Sequence, residues 1–141
     1  MNNTWPYKIL VKLTSRGRKQ RFFDTLDNIY LNCAKPDYMR VLITADLDDP
    51  EMNNEEVKSK VALYSNSYLC YGYSESKIDA INKHFDCIPE EWKDWTILLN
   101  VSDDQRFTMF GYDELVRVDF KSVFPETLLG YMAYRDPDTM G

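Results

Sequence analysis

The chain has 141 residues, is 44% hydrophobic and 28% charged, and has a formal net charge of −6. This length gives one domain with a sizeable core, and the acidic balance without a Lys/Arg-rich stripe argues against a nucleic-acid binder. Three cysteines without a Cys-x-x-Cys spacing favour a reducing, cytoplasmic location over a disulfide framework. No signal pattern is present, and no apolar stretch approaches the ~20 residues of a transmembrane helix.

The first half of the chain alternates between strand and helix patterns. Residues 7–13 are β-forming and almost continuously apolar, which predicts a buried strand. Residues 18–32 carry apolar side chains at three- and four-residue spacing, which predicts an amphipathic helix. A second strand is predicted over 40–45, followed by the acidic turn at 46–50, and a shorter helix over 54–64.

The second half continues the alternation. A third strand is predicted over 68–73, and Ser74-x-Ser76 begins a helix whose apolar face extends to Phe85. The apolar run at 95–101 predicts a fourth strand, and residues 112–123 predict a fourth helix. A fifth strand is predicted over 128–134.

This order of elements predicts an α/β fold with a mostly parallel, Rossmann-like sheet and helices on both faces. Ligands bind such open sheets outside the carboxyl ends of the strands. Three polar clusters follow predicted strands, at residues 14–18, 46–49 and 102–104. We therefore expect these clusters to converge on one ligand-binding pocket.

The chemistry of the clusters points to a metal-bound nucleotide diphosphate. Asp103 and Asp104 are adjacent carboxylates at a strand end, and a hard cation such as Mg²⁺ or Mn²⁺ takes one or two carboxylates and completes its shell with phosphate oxygens and water. Arg16 and Arg18 can bind phosphate bidentately. A solvated Asp-Asp turn that caps the next helix is the alternative interpretation of the acidic pair.

Five motifs follow one another along the chain: a strand ending in Thr14-Ser15-Arg16-Gly17-Arg18, the acidic turn that begins at Asp46, the Lys77-x-x-Ala-x-Asn82 helix, Ser102-Asp103-Asp104, and Gly111-Tyr112-Asp113-Glu114 followed by Phe124-Pro125-Glu126. In this order and spacing, the motifs resemble the inverting, family-2-like glycosyltransferases of the GT-A fold. The resemblance covers most of residues 7–135. Ser102 stands where the family's metal motif has an aspartate.

The resemblance implies a role for each cluster. Asp104 would ligate the divalent metal, Asp103 would contact the ribose or share the metal, and Asp46 would receive the nucleobase. The other residues implied to contact the nucleotide-diphosphate sugar are Thr14, Ser15, Arg16, Arg18, Lys77 and Asn82. An exposed helix face is the alternative for Lys77 and Asn82, and an Asx-rich turn before Pro50 is the alternative for the acidic cluster.

The resemblance also implies an enzyme that transfers a sugar, with inversion, to an acceptor hydroxyl that the sequence does not identify. The family's acceptor-binding half, which carries the general base, has no counterpart in residues 1–141, so we expect a single nucleotide-sugar-binding domain. Candidate general bases are few in this chain, and Asp136 and Asp138 are the two that follow the last predicted strand. His84 has no motif partner, so we expect it to be packed or exposed.

A non-catalytic nucleotide-binding module and an α/β scaffold are the alternative functions. Residues 128–132 would lie at an uncovered sheet edge, which predicts self-association.

Overall fold

The computed structural model of the protein describes residues 5–123. Within these residues, four parallel strands form one sheet in the order β3-β2-β1-β4. The elements in chain order are β1 (Ile9–Thr14), α1 (Lys19–Leu31), β2 (Met39–Asp46), α2 (Glu55–Ala62), β3 (Ser67–Gly72), α3 (Lys77–Ile81), β4 (Ile97–Ser102) and α4 (Tyr112–Val123), with short 3₁₀ turns at Pro36–Tyr38, Phe85–Cys87 and Glu90–Trp92.

The main core lies on one face of the sheet. Alternate strand residues point to opposite faces, and one set, which includes Val11 and Ile43, packs against apolar side chains of α1, α2 and α4. Phe22 of α1 and Val57 of α2 are completely buried there. The apolar periodicity of these helices explains why they cover this face, because each presents one apolar stripe to the sheet.

The opposite face is covered by the segment between β3 and β4. Leu10 and Leu42 pack there against Ile88, which follows the first of the two 3₁₀ turns, and Trp92, which ends the second. Helices and turns therefore lie on both faces of a parallel sheet, which confirms the predicted α/β class.

The third helix is shorter than the pattern predicts. It begins where the N-cap residue Ser76 accepts a hydrogen bond from the Asp79 amide at 3.1 Å, while the Asp79 carboxylate accepts one from the amide of the preceding residue, Glu75, at 3.0 Å. It ends at Ile81, because His84 takes a left-handed backbone conformation with φ +72°. Phe85 consequently belongs to the following 3₁₀ turn.

Several predictions from the sequence fall on residues that lie outside the described ones. These are the fifth strand at 128–134, the candidate bases Asp136 and Asp138, and the sheet edge at 128–132 from which self-association was inferred. Along residues 5–123, every helix is too short or too polar to cross a lipid bilayer.

Candidate functional site

A cleft of about 550 Å³ opens at the carboxyl ends of the strands. Its wall combines the ends of β1, β2 and β4 with the loop that leads from β3 into α3. The residues that line it are Thr14, Ser15, Arg16, Arg18, Thr44, Ala45, Asp46, Asp48, Tyr73, Ser74, Glu75, Ser76, Lys77, Ala80, Ser102, Asp103 and Asp104. The three polar clusters of the sequence thus converge on one cavity, as the parallel topology requires.

Asp103 is a buried carboxylate that joins the end of β4 to the loop after β1. Its two oxygens accept hydrogen bonds from the Ser15 hydroxyl at 2.9 Å and from the Arg18 guanidinium at 3.3 Å. Its main-chain carbonyl accepts from the Thr25 hydroxyl at 2.6 Å and from Arg106 at 3.1 Å. These contacts fix both the side chain and the backbone of Asp103, and with them the position of the next residue.

Asp104 differs from Asp103 in its exposure and in its contacts. Its side chain is exposed at the cleft, and within residues 5–123 its carboxylate takes part in no hydrogen bond or ion pair. The same part of the chain contains no group of three or more His, Cys, Asp or Glu side chains that could hold a metal by themselves. One available carboxylate suits an ion such as Mg²⁺ or Mn²⁺, which binds to proteins through one or two carboxylates and completes its coordination with phosphate oxygens and water.

The loop after β1 is held against the acidic turn after β2. Arg16 forms an ion pair with Asp46 and a longer one, at 3.6 Å, with Asp48. The hydrogen bond that the Arg16 guanidinium donates to the Asp46 carboxylate raises the pKa of Arg16 above its usual value. The Gly17 amide donates to the Asp49 carboxylate at 2.7 Å, and its φ of +65° is one that glycine adopts without strain.

The acidic turn therefore separates into residues with different roles. Asp49 is buried and accepts hydrogen bonds from the amides of Gly17 and Glu51, the latter at 3.1 Å. It stabilises the turn, as the Asx-turn interpretation predicts. Asp46 and Asp48 instead face the cleft.

The cleft has more negative than positive side chains. Five carboxylates line it, from Asp46, Asp48, Glu75, Asp103 and Asp104, against the three cationic groups of Arg16, Arg18 and Lys77. An anionic ligand would be repelled by this excess unless further positive charge accompanies it.

One hydroxyl in the cleft wall has no hydrogen-bond partner among residues 5–123. The Oγ atom of Ser74 is buried, and it makes no hydrogen bond to any of the described residues. A buried hydroxyl left without a partner costs free energy, and a ligand hydroxyl or phosphate could satisfy it. The sequence motifs do not assign Ser74 to the cleft, although the Ser74-x-Ser76 helix start directly after a strand is a signal for it.

Asn82 is the one predicted binding residue that does not line the cleft. It lies at the C-terminal end of α3, is exposed, and its backbone amide bonds to the carbonyl of Ile78 at 3.2 Å. The five-residue helix α3 begins at the cleft with Lys77, and Ala80 also lines the cavity, whereas Asn82, which follows the helix, does not. The motif that linked Lys77 and Asn82 is therefore divided between two environments.

Comparison with solved structures supports the fold. No protein-family model and no curated protein sequence matches the chain. A solved structure of the mannosyltransferase PcManGT from Pyrobaculum calidifontis, in complex with GDP-Man and Mn²⁺, is similar with a TM-score of 0.62 and 15% sequence identity. The fold is glycosyltransferase-like. The match covers 81% of this chain and 32% of that one, so this chain spans about a third of the length of the mannosyltransferase.

Proposed function

We propose that the cleft binds a nucleoside-diphosphate sugar together with a divalent metal, as the donor-binding part of a glycosyltransferase. The observation that carries the proposal is the convergence of Ser15, Asp46 and Asp104 on one cavity at the carboxyl ends of three parallel strands. The glycosyltransferase-like fold supports it, as does the fact that the similar structure was solved with GDP-Man and Mn²⁺.

In this proposal, Asp104 holds the metal and the arginines hold the diphosphate. The Asp104 carboxylate is exposed at the cavity, and its position is fixed through the backbone contacts of Asp103. When bound, Mn²⁺ or Mg²⁺ would offset the negative charge that the diphosphate gains as the bond to the sugar breaks. Arg18 keeps about half of its side chain exposed beside Asp103, so its remaining N–H groups are available to phosphate oxygens.

The nucleoside would lie at the β2 side of the cleft. Asp46 can accept a hydrogen bond from a ring N–H of the base, and the Ser74 hydroxyl, which has no partner among the described residues, can bond to a ribose or sugar hydroxyl. In the ligand-free chain, the Asp46 carboxylate forms an ion pair with Arg16. A base that bonds to Asp46 would compete with this ion pair and release the guanidinium toward the phosphates.

Transfer would proceed with inversion. The acceptor oxygen would form a bond to the anomeric carbon while the bond from that carbon to the diphosphate breaks, with its electron pair leaving on the diphosphate. The acceptor's proton would pass to a general base. We assign no base within residues 5–123, and the acceptor-binding part would be supplied by other residues or by another chain.

Thermal unfolding with GDP, UDP and ADP, each with and without Mn²⁺, tests the proposal. A ligand at ~100 times its Kd stabilises the folded state by about 2.7 kcal/mol, which gives an easily measured rise in Tm. We expect a rise with at least one nucleotide that requires Mn²⁺ and is lost in Asp104→Asn. Asp24→Asn is the matched control, because Asp24 is exposed on α1 and bonds only to Gln20 among the described side chains.

Activity assays separate the proposal from its alternatives. Hydrolysis of the matching nucleotide sugar, or its transfer to an added acceptor, would support the enzyme. Metal-dependent binding without either reaction would leave a nucleotide-binding module. No rise in Tm with any nucleotide or nucleotide sugar would leave an α/β scaffold and overturn the proposal.

A further inference from the structure

Lys12 is a buried cation to which the proposed function gives no role. It lies in the middle of β1 with 1% of its surface exposed. Its ammonium group donates to the Thr44 hydroxyl and, at 2.8 Å, to the Lys83 carbonyl, and it lies 5.5 Å from the centre of the Phe85 ring. No carboxylate within residues 5–123 forms an ion pair with it. Burial of such a charge costs free energy, which makes Lys12 a candidate for a functional role.

Lys12 is connected to the cleft through Thr44, which lines it. Because the Thr44 oxygen accepts a hydrogen bond from the Lys12 ammonium, the Thr44 hydroxyl can donate one to Nδ1 of His84, 2.9 Å away. Burial and the nearby Lys12 charge lower the pKa of His84, which keeps its ring neutral and able to accept.

The His84 ring is also fixed from its other side. A Cβ atom built on Gly72 would lie 2.8 Å from its Nε2 atom, so the ring occupies space that only glycine leaves free. The ring, the Thr44 hydroxyl and the Lys12 ammonium thus form one fixed chain of contacts behind the cleft wall.

We propose that Lys12 is a positioning residue of the cleft, which holds the Thr44 hydroxyl in place and supplies positive charge behind it for the diphosphate of a bound nucleotide. This inference rests on the proposed function. The Lys12 charge would partly offset the excess of five carboxylates over three cationic groups in the cleft lining. A charge in a buried, low-dielectric position acts on an anion more strongly than a charge in water.

Binding of a diphosphate should then change the protonation of Lys12. Burial lowers the pKa of Lys12 to about 8, and the charge of Lys83 lowers it as well, while Cys70 and Cys87 act in the opposite direction. An anion in the cleft favours the charged form. Affinity is therefore greatest below pH 8 and falls as the pH rises above it, and binding near pH 8 takes up protons.

The His84 ring, the next titratable group in this chain of contacts, does not produce that signal. His84 is neutral near pH 8, because its pKa is lowered from 6.5. The acidic groups that act on the His84 ring are Asp46 and Asp86.

Calorimetric titration with Mn²⁺ and the diphosphate that raises Tm most tests the inference in the wild-type chain. Titrations at pH 8 in two buffers of different ionisation enthalpy give the number of protons taken up on binding. We expect a measurable uptake and a Kd that weakens by several fold between pH 7 and pH 9. Zero uptake with normal affinity would overturn the role of Lys12 and leave the proposed function intact, whereas no binding would overturn both.

Lys12→Met isolates the residue, and Lys8→Met is its matched control. Lys8 precedes the same strand, at the end opposite to the cleft, and pairs with Asp94 at 2.8 Å. We expect Lys12→Met to weaken binding at pH 7 about tenfold and to abolish the proton uptake, while Lys8→Met changes neither. Equal behaviour of the two variants would contradict the inference.

Thr44→Val keeps the test decisive if Lys12→Met does not fold. This variant removes the hydroxyl that Lys12 fixes but keeps the Lys12 charge. We expect weaker binding with the proton uptake retained. Wild-type affinity in Thr44→Val would show that the hydroxyl is not positioned for the ligand and would overturn that part of the inference.

Discussion

Two carboxylate–arginine pairs in this protein have the same chemistry and opposite surroundings. In α4, Asp113 and Arg117 form an ion pair at 2.6 Å in which both side chains are completely buried. At the cleft, the Asp103 side chain is also buried, but its partner Arg18 is about half exposed and lies 3.3 Å away. The first pair has all its surroundings supplied by the protein, whereas the second leaves room for a ligand.

The Asp113–Arg117 pair of α4 has hydrogen-bond partners on all sides, as a buried ion pair with a structural role requires. Asp113 accepts hydrogen bonds from the amides of Ala34 and Lys35, at 2.7 and 3.0 Å. Arg117 donates to the carbonyls of Tyr7 and Tyr38, at 2.7 and 3.1 Å. The pair thus joins α4 to three other parts of the chain. Arg18 has no comparable set, since Asp103 is its only described side-chain hydrogen-bond partner.

Asp113→Ala should produce the largest loss of stability. Removing Asp113 leaves the buried Arg117 with the partly exposed Glu114, 2.7 Å away, as its remaining carboxylate among the described residues, and leaves the amides of Ala34 and Lys35 without their acceptor. Breaking a buried pair in this way costs about 3 kcal/mol. Urea unfolding should show this loss, while Asp24→Ala, at an exposed position of α1, should change stability by less than about 0.5 kcal/mol. A loss below about 1 kcal/mol in Asp113→Ala would mean that the α4 pair is not the structural link described above.

Arg18→Met should show the opposite pattern. The side chain is half exposed, so we expect a stability change below about 1 kcal/mol and an affinity for the nucleoside diphosphate that is at least about tenfold weaker. Calorimetric titration and urea unfolding of the same sample measure both quantities. Arg21→Met is a suitable control, because Arg21 is exposed on α1 and is not among the cleft residues. Unchanged affinity in Arg18→Met would remove the functional half of the comparison.

Gly17→Ala should have a smaller effect on stability. Nothing lies within 4 Å of an added Cβ atom, so the cost comes from the backbone, which has a φ of +65°. A left-handed conformation costs a non-glycine residue about 1–2 kcal/mol. Urea unfolding should give a loss of about 1 kcal/mol. A neutral or stabilising result would show that the loop after β1 relaxes to another conformation.

The smallest expected effect is a pH dependence that belongs to Asp113. Burial alone would raise its pKa, but the amides of Ala34 and Lys35 and the charge of Arg117 bring the pKa below its usual value. A group of this kind contributes stability above its unfolded pKa of about 4, and the contribution is lost as the pH falls through the folded value. Unfolding free energies between pH 6 and pH 2 should therefore fall less steeply in Asp113→Ala than in the wild type. Parallel curves would contradict this.

The regular elements could be predicted because each has a simple repeating pattern. The apolar run of β1 and the three- and four-residue spacing of α1 and α4 gave their positions to within about two residues. The end of α3 could not be found this way, because it depends on the left-handed backbone of His84. A histidine rarely adopts that conformation, and the sequence carries no mark of it.

The cleft was predictable to the extent that strand ends determine it. Asp46, Asp103 and Asp104 follow strands, and the ends of parallel strands meet at one edge. Lys12 was not predictable, since a lysine in a strand is usually placed with its charge in water. Only the packed structure shows that its ammonium ends on Thr44 and a main-chain carbonyl. The motif also does not specify the length of α3, so the sequence could not show that Asn82 lies outside the cleft lining.

The most direct test of the account is a crystal structure of the chain with Mn²⁺ and the nucleoside diphosphate that raises Tm most, read by the anomalous signal of manganese. We expect one peak at the cleft, about 2–2.5 Å from an Asp104 carboxylate oxygen and bridged to the diphosphate, with the base beside Asp46. A nucleotide bound elsewhere, or a manganese peak away from Asp104, would contradict the assignment of this cleft as a nucleotide-sugar site.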